Sequence, residues 1–137
     1  MASSPQDRPP IPVVLVGITR HTALSTSSIV VGTPYHAVAA LDLTESPPAY
    51  HFSSQNLGVV LHTLYPRPRA VITGTGVSEE VMAAVGEAWK EYSEGVLEKE
   101  GLKGEWVALS EWYADENKPP PPGLDKELIR RLDEAFK

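Results

Sequence analysis

At 137 residues, with 42% hydrophobic and 22% charged side chains, the chain fits one globular domain with a continuous core, and its formal net charge of −6 argues against a nucleic-acid partner held through phosphate contacts. No apolar run approaches the roughly 20 residues a membrane helix needs, so no membrane partner is expected. The absence of cysteine removes disulfides, thiol nucleophiles and cysteine-based metal sites, and suits a cytoplasmic protein.

Residues 1–10 hold Ser3, Ser4, Pro5, Pro9 and Pro10 and lack the charged and apolar regions of a signal peptide, so they read as a flexible arm before a single α/β domain over 11–137. The first strand is expected at Ile11 to Ile18, where Val13-Val14-Leu15-Val16 is the continuous apolar run of a strand covered on both faces. Pro12 stands at its start, where a missing amide is tolerated. Ala23 to Val31, closed by Gly32, reads as a short helix, although Ser25 to Ser28 are poor helix formers and Ser28 to Val31 fit an extended segment as well. Tyr35 to Leu43 is the second strand. A helix capped by Ser53 or Ser54 follows, with Leu57, Val60, Leu61 and Leu64 on one face and Pro66 and Pro68 to stop it.

Arg69 to Thr73 is the third strand, and it runs through Gly74-Thr75-Gly76 into a helix beginning after Ser78. That helix shows Val81, Met82, Val85, Trp89, Tyr92 and Val96 at three- and four-residue spacing. Glu105 to Ser110 alternates in the manner of an edge strand. Beyond Trp112 and Tyr113, the prolines Pro119 to Pro122 form an extended spacer before a last helix carrying Leu124, Leu128, Ile129, Leu132 and Phe136. Strands alternating with helices imply a mainly parallel four-stranded sheet in a three-layer domain, with 2-1-3-4 the simplest order. The arrangement is similar to half of a dinucleotide-binding (Rossmann-like) fold, or to a flavodoxin-like sheet short of one strand. The alternative, a ferredoxin-like α+β fold, needs antiparallel pairing and a hairpin around Gly32.

In open α/β sheets ligands bind beyond the carboxyl ends of the strands, which directs attention to the turns after Gly17 and after Thr73. The dinucleotide fingerprint requires glycines at three fixed offsets and fails at both turns: Thr19 and Thr22 replace the second and third glycines after Gly17, and Glu79 takes the third place after Gly74 and Gly76. Glu79 and Glu80 also complement the helix dipole themselves and repel phosphate. Arg20 and His21 offer a fixed and a titratable cation. His21 is the candidate acid or base and Arg20 the candidate stabiliser of developing negative charge. Thr19, Thr22, Gly74, Thr75 and Gly76 supply hydroxyls and backbone amides for a substrate, and Trp112 and Tyr113 either wall an apolar pocket or pack under the proline run. Asp42, at the end of the second strand, either forms a turn or reads ribose hydroxyls if a nucleotide binds. No pair among His36, His51 and His62 has metal-ligand spacing, so neither metal nor cofactor is expected.

The segments Ile11-Pro12-Val13-Val14-Leu15-Val16-Gly17 and Pro68-Arg69-Ala70-Val71-Ile72-Thr73-Gly74-Thr75-Gly76, with the Lys118-Pro119 run before a final helix, resemble small fungal Rossmann-like proteins of unassigned activity. The resemblance implies a free-standing α/β domain encoded beside fungal metabolic genes, and it transfers no catalytic residue. The residues themselves favour a cofactor-independent isomerase, cyclase or lyase acting on a carbonyl-bearing metabolite. The alternatives are a module that binds a nucleotide or small anion without chemistry, and a partner-binding protein using Trp112 to Pro122. Second apolar faces, such as Val77 with Val96 or Leu97 with Leu102, make a homodimer a further expectation.

Overall fold

A computed structural model describes residues 10–17, 19, 26–74, 77–111 and 122–136. Four strands, β1 (Ile11–Gly17), β2 (Tyr35–Asp42), β3 (Ala70–Thr73) and β4 (Glu105–Ala108), form one sheet in the order β2-β1-β3-β4, with every neighbouring pair parallel. The 2-1-3-4 order is therefore the observed one. The ferredoxin-like alternative is overturned, because parallel strands cannot be joined by a tight hairpin. Gly32, at φ 80°, instead ends a helical turn over residues 26–29 and leads into β2.

The centre of the sheet is occupied by the strands that carry continuous apolar runs, over 13–16 in β1 and 70–72 in β3. In β1, Val13 and Leu15 face one layer while Val14 and Val16 face the other, and in β3, Ile72 and Val71 divide in the same way. Among the described residues, the helices α1 (Ser54–Thr63), α2 (Glu79–Tyr92) and α3 (Leu124–Ala135) complete the layers. Leu57 and Leu61 of α1 and Val85, Ala88 and Tyr92 of α2 cover one face. Leu128 and Leu132 of α3, with Val30 beside the 26–29 turn, cover the other. Sheet and helices thus form a three-layer, Rossmann-like α/β arrangement.

Local signals set the ends of these helices. Ser53 Oγ accepts from the Asn56 amide at 2.9 Å and Ser78 Oγ from the Val81 amide at 3.3 Å, so each serine satisfies an amide that has no partner within its helix. α2 does not stop at Tyr92. It widens into a π segment, Ser93–Leu97, which buries Leu97 before Gly101, at φ 71°, turns the chain toward β4.

β2 ends at Asp42 and β3 begins at Ala70, each one residue inside the expected limit, and the fourth strand and the interior of β2 depart further from the sequence reading. The fourth strand ends at Ala108, and Leu109–Glu111 form a 3-10 turn in place of its last residues. In β2, the pairing passes from Val13↔Ala37 to Val14↔Ala39, leaving Val38 as a bulge. Tyr35 and Ala37 pack on the α3 side, whereas Ala39 and Leu41, at the same parity, pack on the α1 and α2 side. One extra residue has switched the faces of the strand.

Candidate functional site

The chain leaves β1 for one face and β3 for the other, so β1 and β3 are the neighbours between which the direction of winding reverses. Their carboxyl ends flank the crevice where ligands of such sheets bind. Gly17 and Gly74 are both buried there and lie side by side. The Gly74 amide donates to Val16 O at 2.8 Å, and a Cβ placed on Gly74 would lie 3.7 Å from Gly17 Cα and 3.6 Å from Val16 O. These are ordinary contact distances, so an alanine would fit at position 74. Thr19, just beyond Gly17, is half-buried.

Thr73 ends β3 with a fully buried side chain whose Oγ1 accepts from Trp106 Nε1 at 3.3 Å, and Trp106 in turn lies over Gly86 of α2. The polar side chain at the carboxyl end of β3 is thereby satisfied within the protein. At the entry to α2, Glu79 and Glu80 occupy the first turn, both exposed, and complement the positive end of its dipole.

Asp42 closes β2 at the same edge, 4% exposed. Its Oδ2 accepts from the amides of Glu45 and Ser46 at 2.6 and 2.8 Å, while Oδ1 accepts from the Ser46 hydroxyl. Burial alone would raise its pKa, but the Ser46 hydroxyl and the amides of Ser46, Glu45 and Thr44 outweigh that effect and lower it to about 2. The carboxylate organises the loop to α1. The Phe52 amide returns to Asp42 O at 2.8 Å, His51 Nε2 lies 2.5 Å from Ser46 O, and Asn56 Nδ2 donates to Ala49 O and His51 O at 3.1 and 2.7 Å. Asp42 thus forms the turn, one of the two roles its position allows.

Of the sequence-predicted site residues, Thr19, Asp42 and Gly74 stand at this edge. Arg20, His21, Thr22, Thr75, Gly76, Trp112 and Tyr113 lie outside the described residues, as do most of the arm over 1–10 and Pro119 to Pro121. Sequence reasoning offered the turn at Asp42 as one of two roles but did not name the Ser46, His51 and Asn56 contacts that complete the hydrogen-bonded loop. An aspartate at a strand end with Ser46 four positions on was a readable signal for it. Among the described residues, no group of three His, Cys, Asp or Glu side chains is placed to hold a metal, and no helix is long and apolar enough to cross a membrane. No protein-family model matches the chain, and no curated protein or solved structure matches it.

Proposed function

We propose that the chain is a small cofactor-independent enzyme, an isomerase, cyclase or lyase, acting by acid–base chemistry on a carbonyl-bearing metabolite at the β1/β3 switch point. The observation that supports this reading is the meeting of Gly17 and Gly74 at the carboxyl edge, with Arg20 and His21 following Gly17 in the sequence. In the simplest case His21 removes a proton from the carbon beside the carbonyl and Arg20 neutralises the enolate oxygen. His21 then returns the proton to another atom of the same skeleton, so nothing is oxidised or reduced. Thr19, Thr22, Thr75 and the backbone of Gly74 and Gly76 would orient the substrate, and Trp112 and Tyr113 would wall its apolar part. A nucleotide is disfavoured, because Asp42 already serves its own loop and Glu79 and Glu80 stand where a phosphate would need free helix amides.

The test combines a thermal-shift screen with proton exchange. Carbonyl metabolites should raise the melting temperature, whereas NADH, NADPH, FMN and ATP should not. A hit incubated with the protein in deuterated water should lose its α-proton signal. His21→Ala should slow that exchange by about 10²- to 10⁴-fold with the melting temperature unchanged. Stabilisation by a nucleotide, or exchange undiminished in His21→Ala, would overturn the reading. Ligand binding without exchange would leave an anion-binding module.

A further inference from the structure

The opposite, amino-terminal edge of the sheet carries a second concavity of about 430 Å³, within the range of small-molecule pockets. It is lined by residues from four separated parts of the chain, among them Ile11, Tyr65, Leu102 and Phe136, and two arginines stand in it in different states. Arg67 is committed: its Nε donates to Glu100 Oε2 at 3.2 Å and its Nη1 to His62 O at 3.0 Å. Arg69 has no carboxylate partner among the described residues. Its Nε donates to Lys103 O at 2.5 Å, and its guanidinium carbon lies 5.5 Å from the centre of the Phe136 ring.

Those two contacts fix the plane of the Arg69 guanidinium and leave both Nη atoms without a hydrogen-bond partner among the described residues. A half-buried guanidinium held in this way presents a preformed fork for a planar oxyanion. The neighbouring strand-edge amides are already committed: those of Ile11, Arg69 and Glu105 are bonded to Pro34 O, Pro12 O and Arg69 O. One guanidinium with two unpartnered Nη atoms among the described residues, committed strand amides and the Glu100 carboxylate nearby suit a monoanion and oppose a phosphate. The remaining walls are apolar, and the Tyr65 ring is 86% exposed at the rim, where it can cover a flat ligand.

We propose that this cleft binds a small aromatic carboxylate, its carboxylate bidentate on the two Nη atoms of Arg69 and its ring between Tyr65 and Phe136. The site is independent of the switch point, which lies at the other end of the strands.

The test is a titration of the ¹⁵N-labelled chain with sodium benzoate, benzamide and inorganic phosphate. Benzoate should produce saturable shifts at the amides of Tyr65, Leu102 and Phe136. Benzamide, the neutral isostere, should bind at least about tenfold more weakly, and phosphate should not compete. Arg69→Gln should cost benzoate about tenfold or more in affinity, and Arg69→Lys, which keeps the charge but not the fork, should also weaken it. Tyr65→Ala, at an exposed position, should weaken benzoate with the fold intact, so the proposal remains testable if an Arg69 variant unfolds. Arg20→Gln should leave the shifts unchanged. Equal binding of benzoate and benzamide, phosphate binding as tight as benzoate, full affinity in folded Arg69→Gln or in Tyr65→Ala, or loss of the shifts in Arg20→Gln would each overturn the proposal.

Discussion

Asp42 is where the chemistry of one side chain decides the shape of a loop. Burial penalises its charged form, yet the Ser46 hydroxyl and the amides of Ser46, Glu45 and Thr44 converge on it and keep it ionised. An asparagine keeps the shape of this side chain but loses the charge: with its oxygen toward the Glu45 and Ser46 amides, its nitrogen meets the Ser46 hydroxyl, which must then accept instead of donate, and the charge-assisted bonds become neutral ones. Asp42→Asn should therefore destabilise the fold by about 1–3 kcal/mol. Chemical denaturation should record this as a lower urea midpoint at unchanged slope. An unshifted midpoint would show that the loop does not depend on the charge.

How much of the structure could be read in advance depended on whether neighbours in sequence decided the outcome. β1 and β3 were legible because each carries a continuous apolar run buried on both faces, and α2 and α3 because their apolar residues recur at helical spacing. The bulge at Val38 was not legible: the alanine-rich β2 has too little contrast between its faces to reveal a change of parity. Nor was the cleft around Arg69, because it exists only after Ile11, Leu102 and Phe136 have been brought to one sheet edge. The packing of α2 on β4 belongs to this second kind, and glycines carry it. A Cβ at Gly104 would lie 2.5 Å from Leu97 Cδ1 and 2.9 Å from Trp89 Cζ2, whereas one at Gly58, within α1, meets nothing within 4 Å. Gly104→Ala should cost about 1–3 kcal/mol through overpacking, and Gly58→Ala should add about 0.4–1 kcal/mol by restricting the unfolded chain. Melting temperatures of the two variants should move in opposite directions. A shift of the same sign in both would refute the packing argument.

Two tyrosines that tie the layers together and one aspartate that holds a loop make stability depend on pH. Tyr35 hydroxyl donates to Asp133 Oδ1 at 2.5 Å and joins β2 to α3, while Tyr92 hydroxyl donates to Pro68 O at 2.6 Å and joins α2 to the start of β3. Burial, with Asp133 adding its hydrogen bond and charge, pushes the Tyr35 pKa upward, and burial pushes Tyr92 up to about 12 against the opposing charge of Arg67. Above the ordinary tyrosine value of about 10, an unfolded chain releases protons that the folded one retains, so stability is complete below that pH and falls as it rises toward the folded values. Asp42 acts in the opposite sense. Its folded pKa of about 2 lies below the ordinary 3.8, so its contribution is present above about pH 4 and is lost as the pH falls through 2. Urea unfolding followed across pH should give a plateau from about 4 to 10 in the contribution of these groups, with a decline on either side. Tyr92→Phe and Tyr35→Phe should each flatten the alkaline decline, because the variant has no proton to lose, and Asp42→Asn should flatten the acid one. The tyrosines serve opposite faces of the sheet, so their effects should add when combined. An alkaline limb as steep in the doubly substituted chain as in the original would show that other groups hold the layers together at high pH.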